Sequence, residues 1–456
     1  MPNFKKLAKN YESLAEKALV ELVKCPSVYD PSSLSEDAPY GKGVKSALTY
    51  IARLAKEYGF EVDTCDGRAT EIKCGTGDRL IGVYAHSDVV PASGKWSVDP
   101  FSGTIVEEKG KKKMISRGAT DDKGPLIASL YAMKLLKDNR LVDGYTVRLV
   151  TGGDEERGSS CLAYYFDKLK KPHCDYGFTP DADFPLIYAE KGIYHGAIKG
   201  NLDLSPIIAL DGGVATNAVC DRILITLPAD KALAKKLESE KLAEVSLLDK
   251  VMSVIFKGKS SHGSMPELGD NAGVKAFKIL GEYYKNETLS KIASVLSAPF
   301  GETFNGNEVS KELGKNTYNY GLWKYDSFRK SLSISVDFRF GEQAHPDDCL
   351  ASLEKALGLK VEVESKSALL LFEKKSPLVS TLMKSYKRMT HKFFDKPIAI
   401  GGGTYAKEAK NCVAYGGATK EHEGNIHSPD EYLYLDDLYA SIAIYADAIY
   451  SLGNIK

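Results

Sequence analysis

The sequence predicts an α/β fold: a mostly parallel sheet covered by helices, with an inserted α+β domain. Three observations carry this. Up to about residue 190, apolar runs of strand length alternate with segments of helical periodicity, the pattern of crossover units around a parallel sheet. Between residues 195 and 373 the texture changes to alternating strands separated by charged amphipathic helices, as expected of a separate α+β unit. From residue 374 to the end the first texture resumes. The simplest organisation is a discontinuous catalytic domain, residues 1–194 and 374–456, with residues 195–373 inserted as a lid. No internal repeat is visible.

Taken in order, residues 3–24 carry Leu7, Tyr11, Leu14, Ala18 and Leu22 at helical spacing, and residues 44–58 do likewise. Residues 80–85, Leu-Ile-Gly-Val-Tyr-Ala, predict a fully buried strand. A helix over 126–136, a strand over 145–151 and a helix over 161–169 follow. In the insert, strands at 222–227 and 251–257 flank a Lys/Glu-rich helix at 229–242, and an amphipathic helix covers 271–284. Residues 331–340, Ser-Leu-Ser-Ile-Ser-Val-Asp-Phe-Arg-Phe, alternate strictly, so the apolar side chains share one face and Asp337 and Arg339 the other. A helix at 346–357 and a strand at 360–364 complete the insert. Strands at 398–400 and 412–414 and a helix at 436–452 close the chain.

Composition excludes several classes. Sixty-one basic residues balance sixty-one acidic ones, so neither nucleic acid nor an anionic membrane is an expected partner. No run approaches the roughly 20 apolar residues of a spanning helix, and residues 1–7 lack the apolar core of a leader. The eight cysteines form no Cys-x-x-Cys pair and no zinc-finger spacing, as expected of buried thiols in a reducing compartment. A cytoplasmic protein is the expectation.

Five segments place acids or histidines just after predicted strands: His86-Ser87-Asp88, Asp121-Asp122-Lys123-Gly124, Asp154-Glu155-Glu156, Pro180-Asp181-Ala182-Asp183, and His427-Ser428-Pro429-Asp430-Glu431. Singly, each has an ordinary explanation: a satisfied histidine, a helix N-cap, a solvated helix start, a turn, a loop. Together they would converge outside the carboxyl ends of the strands, where open α/β sheets bind ligands. Carboxylates gathered there repel one another unless cations neutralise them. One bridging carboxylate, two further carboxylates and a bridging hydroxide carry about −4, which matches two divalent cations. With no thiolate in these segments, zinc, cobalt or manganese fits the donors; the affinity order favours zinc over manganese, while the oxygen-rich shell permits manganese.

These segments, with Phe184-Pro185, Glu190-Lys191-Gly192 and Gly401-Gly402-Gly403-Thr404-Tyr405, resemble the dinuclear metallopeptidases of the aminoacylase/carboxypeptidase superfamily. Within it they look most like the PepV-type bacterial dipeptidases, which cleave Xaa-His and other dipeptides. The resemblance spans the chain and implies a zinc-peptidase-like catalytic domain. It implies that His86, Asp121 and Asp181 hold one ion and Asp121, Glu156 and His427 the other. It assigns Glu155 as general base, Asp88 as the group fixing the His86 imidazole, and the Asp121–Asp122 peptide as cis. In the lid, Ser260-Ser261-His262-Gly263-Ser264 resembles the motif whose histidine stabilises the oxyanion; the bland reading is a loop histidine before a helix. Arg339 would grip the substrate carboxylate with its bidentate fork, although a solvent-exposed arginine is the default for that face. Asn217 would face the same substrate, and Gly401, Gly402, Gly403 and Thr404 would offer backbone N–H groups to the carboxylate. This chain carries Asp183 where such relatives usually carry Glu, which weakens any assignment of the substrate side chain.

The implied activity is hydrolysis of unblocked dipeptides by the hydroxide shared between the ions. The alternative is an N-acyl-amino-acid deacylase of the succinyl-diaminopimelate or acetylornithine type, which cleaves the same kind of bond. Shorter-lidded members of the superfamily dimerise and borrow a lid histidine. A lid of about 180 residues resembles the doubled lid of PepV-type enzymes, so a monomer with His262 acting in its own chain is expected.

Overall fold

The computed structural model describes residues 1–418, 422 and 424–455. The chain divides into two units: Met1–Tyr188 with Phe372–Ile398 and Thr404–Lys456, and Ala189–Leu371 with Ala399–Gly403.

The first unit is built on a mixed, mostly parallel sheet. Its strands are β1 (Glu61–Asp63), β2 (Ala69–Gly75), β3 (Arg79–His86), β4 (Tyr145–Gly152), β5 (Tyr176–Thr179) and β6 (Cys412–Ala414), laid side by side in the order β1-β2-β4-β3-β5-β6. β4, β3, β5 and β6 run parallel, whereas β1 and β2 form an antiparallel edge. β3 is buried from Ile81 to His86 and β4 along nearly its whole length, as a strand covered on both faces must be. Helices α1 (Phe4–Ala8), α2 (Glu12–Val23), α3 (Lys42–Glu57), α4 (Lys123–Asp138), α5 (Pro377–Thr390) and α6 (Leu435–Gly453) supply the cover. α3 buries Val44, Leu48, Ile51 and Ala55 at helical spacing. α4 and α6 are buried on nearly every side and pack on each other.

Two expectations need correction here. Residues 3–24 form two helices, because Asn3 caps the first turn and the chain breaks at Lys9-Asn10, where asparagine competes with helical bonding. The segment after residue 160 begins as one α turn, Ser160–Ala163, and widens into a π turn over Tyr164–Lys168, where Tyr165 and Phe166 are buried.

In the second unit eight strands are fully antiparallel, in the order Glu244–Leu248, Val251–Lys257, Arg222–Pro228, Ala209–Gly212, Trp323–Asp326, Ser331–Phe340, Gly192–Asn201 and Lys360–Ser367. Alternate residues of the Arg222–Pro228 and Val251–Lys257 strands are buried. They share one core with Phe277, Leu280, Leu353 and Trp323 from the helices and the central strands. The Asp337 and Arg339 face is also buried, at 0% and 3% exposure, so the exposed default does not hold for this arginine. No helix among the described residues is long and apolar enough to cross a membrane.

Helix Ala272–Tyr284 meets this sheet closely at Gly273, where a Cβ would fall against the indole of Trp323. That indole donates to the Tyr320 carbonyl at 2.9 Å and packs edge-on against Phe277. Gly273→Ala is therefore expected to destabilise the protein by about 1–3 kcal/mol through overpacking, although alanine is the better helix former. Urea unfolding checks this, and a stabilised variant would contradict the packing.

Candidate metal centre

β3 delivers His86 to the carboxyl edge of the sheet. Its Nδ1 lies 3.0 Å from the Asp88 carbonyl oxygen, an acceptor that makes Nδ1 a donor, so that Nε2 would offer a lone pair to a metal once the proton it shares with Asp121 is displaced. Nε2 stands 3.0 Å from Asp121 Oδ1 and 3.7 Å from Asp181 Oδ2. The Asp88 main chain thus holds the ring, and its carboxylate, 3.6 Å from Nδ1, has another task. Its two oxygens accept the backbone N–H groups of Glu155 and Glu156, each at 3.1 Å. Those glutamates begin a single 3₁₀ turn just past the end of β4, closed by Gly158 at φ 111°. One aspartate therefore fixes the first histidine and both glutamates.

Asp121 sits just before α4, after the turn that begins at Arg117. The Asp121–Asp122 peptide is cis, as the resemblance implies. Asp122 occupies the N-cap position without capping the helix; its carboxylate accepts the His86 N–H at 3.1 Å. Asp121 offers Oδ1 to His86 and Oδ2 to His427 Nε2, both at 3.0 Å. His427 Nε2 is also 3.2 Å from Glu156 Oε1. Asp181 follows β5, its N–H donating to Thr179 Oγ1 at 3.3 Å. His427 is half exposed, on a loop in left-handed backbone at φ 59°.

Five widely separated segments thus bring six donors together: four carboxylates and two imidazoles. Ligand atoms of His86, Asp121 and Glu156 lie within 4.8 Å of one another, as do those of His86, Glu155 and Asp181. Burial and the charge of Asp181 push the Glu155 carboxyl well above its ordinary value. Burial and the charge of Asp121 raise Asp181 to about 7. Burial works against the charge of Asp121 too, yet hydrogen bonds from His427 and His86 hold its carboxyl below the usual range. Hydrogen bonds to Asp121 and Glu156 raise His427 to about 10. Without metal, the repulsion among the acids is relieved by protons on carboxyls and imidazoles. The donors are all oxygen or imidazole nitrogen, and they fit borderline divalent cations.

Two residues that the sequence motifs contain without a role stand around this centre. Glu431, four residues past His427, is fully buried and holds the turn that carries Asp121. Tyr405 is buried beside His86, and its hydroxyl meets Cys161 Sγ at 2.8 Å. Gly152 is constrained by this tyrosine, since any Cβ there would strike the phenol oxygen.

The second unit holds most of the remaining candidates. Gly263 N–H donates to the Asn217 carbonyl at 2.7 Å, and Ala218 bridges to His262. Both Asn217 and His262 are exposed, and His262 Nδ1 is 2.7 Å from Ser264 Oγ. Arg339 Nε and Nη2 donate to the Asp337 carboxylate at 3.0 and 2.9 Å, and Nη1 donates to the Gly401 carbonyl at 2.8 Å. Gly402 and Gly403 follow in the same segment. Thr404 lies in the first unit, where its Oγ1 accepts the Ala406 N–H at 3.1 Å.

An ion reaching His427 Nε2 must displace a proton held there until about pH 10. Zinc uptake by the metal-free protein near pH 7 is thus expected to release protons and to tighten as pH rises from 6 to 8. Calorimetry in two buffers of different ionisation enthalpy measures this, and a buffer-independent heat would contradict it.

Known proteins are similar to this chain at several distances. A Bacillus subtilis (strain 168) protein named "Putative dipeptidase YtjP" is 31% identical over 452 residues, covering 95% of this chain and 96% of its own. The di-peptidase Dug1p from Saccharomyces cerevisiae superposes with a TM-score of 0.60 at 12% identity, over 99% of this chain and 98% of its own. The metallo-carboxypeptidase Sso-CP2 from Sulfolobus solfataricus gives a TM-score of 0.58 at 18% identity, over 97% and 99%. The two structures speak for the fold alone. The model of Peptidase family M20/M25/M40 matches residues 82–451, from within β3, the strand that ends in His86, through most of α6. The chain belongs to peptidase family M20/M25/M40.

Proposed function

We propose that this M20 metallopeptidase is a dinuclear dipeptidase that acts on unblocked dipeptides as a monomer. The observation that carries the reading is Asp121, which presents one oxygen to each of two imidazoles, His86 and His427. His86, Asp121 and Asp181 would hold one ion, and Asp121, Glu156 and His427 the other. When bound, the pair of ions supplies Lewis acidity and an acidified water. Relatives that carry the name "Putative dipeptidase" over nearly the whole chain support the choice of substrate over the deacylase alternative. The PepV-type preference for Xaa-His substrates belongs to the same reading.

The chain's own groups would then divide the work. Glu155 is the carboxylate of the cluster left without an ion. It takes the proton of the attacking water on its Oε and passes it to the nitrogen of the leaving amine. Its raised affinity for protons in the metal-free protein falls once cations offset its acidic neighbours, so it works as a base near neutrality. Asp88 keeps the Glu155 and Glu156 turn in place. His262 contributes a hydrogen-bond donor for the developing oxyanion. Arg339, whose fork is engaged by Asp337 and the Gly401 carbonyl, would have to exchange one of these partners to bind the terminal carboxylate, helped by Asn217 and by the N–H groups of residues 401–404.

Glu155→Ala is expected to lower kcat by at least about 100-fold while the protein still takes up two ions. Assays paired with metal analysis check this, and near-wild-type turnover would remove Glu155 from the role. Protein stripped by a chelator is expected to lose activity and regain it with zinc or manganese. It should cleave Ala-His but not N-acetyl-Ala-His. Removal of the acetyl group instead would move the reading to a deacylase.

A further inference from the structure

The Glu431 carboxylate is buried to 0% exposure and takes four donors. Oε2 accepts Arg117 Nη1 at 2.6 Å and Gly118 N–H at 3.0 Å; Oε1 accepts the N–H groups of Thr120 at 3.0 Å and Asp121 at 3.1 Å. The Glu431 carbonyl also accepts the Ser116 N–H at 3.0 Å. Arg117 is itself buried, with its guanidinium 5.2 Å from the ring centre of Trp96. This one side chain takes the N–H groups of Gly118, Thr120 and Asp121 and a guanidinium, so four donors engage its oxygens.

We infer that the Arg117–Glu431 pair is a clasp that positions Asp121 against His427 and so governs occupancy of the Asp121/Glu156/His427 half of the centre. The two halves differ in how they are held. His86 is the last residue of β3 and Asp181 lies two residues past β5, with their own bonds to Asp88 and Thr179. His427 is half exposed on a loop, and Glu431 ties that loop to the turn of Asp121. Loosening the clasp lets Asp121 and His427 separate, while His86 and Asp181 stay on the sheet. Glu431 is a positioning residue in this account, and the inference rests on the dinuclear reading above.

Glu431→Gln tests it, because the amide nitrogen would confront the Arg117 and Gly118 donors while the volume is unchanged. Metal-free wild type titrated with zinc is expected to take two ions. The variant should take the second about 10–100-fold more weakly and the first, which shares Asp121 but keeps His86 and Asp181, by a clearly smaller factor. With manganese, the spin-coupled pair signal of wild type should give way to an isolated-ion spectrum like that of His427→Ala. Should Glu431→Gln fail to fold by circular dichroism, Arg117→Lys, which keeps the cation and gives up the fork, carries the test with the same selective loss in milder form. Wild-type uptake of both ions by the folded variants, or equal weakening of both, would overturn the clasp. Fewer than two ions in the wild type would overturn the dinuclear reading itself.

Discussion

Four carboxylates crowded at one edge of a sheet repel one another, and much of the first unit can be understood as the means of holding them there. Asp121, Glu155, Glu156 and Asp181 share a space with His86 and His427, which offset part of their charge. In water such groups would separate; here they are fixed to strand ends and short turns that cannot drift apart. The strained proton affinities of Glu155, Asp181 and His427 express that confinement. The two proposed divalent cations would relieve it more fully than protons do, because they would match both the charge and the number of donors.

Holding the proposed ligands in place falls to residues outside the proposed ligand set. Asp88 uses its carbonyl for the His86 ring and its carboxylate for the Glu155 and Glu156 turn. Asp122 holds the His86 backbone. Each of these bonds satisfies a buried polar group while fixing a ligand's direction, so the same contacts serve stability and preorganisation. The second unit follows the same logic around Arg339, whose fork is occupied by Asp337 and the Gly401 carbonyl.

The motifs were legible because their chemistry is local. A buried strand followed at once by His-x-Asp, or by paired glutamates, places its acids at a strand end whatever the rest of the chain does. The parallel core strands and the long amphipathic helices were legible for the same reason, since periodicity reports burial directly. The sequence hid what depends on distant partners. Glu431 meets the Asp121 turn from 310 residues away, and nothing beyond its place four residues after His427 hinted at it. Alternation in Ser331–Phe340 told which residues share a face but not that the Asp337 and Arg339 face would be covered. The short edge strands β1 and β2, rich in Glu and Lys, lack the apolar run that marked β3.

Anomalous scattering at the zinc edge from crystals of the zinc-loaded protein tests the central claim most directly. The account predicts two peaks flanking Asp121, one beside His86 and Asp181 and the other beside Glu156 and His427. A single peak, or a pair in which Asp121 touches only one ion, would contradict it.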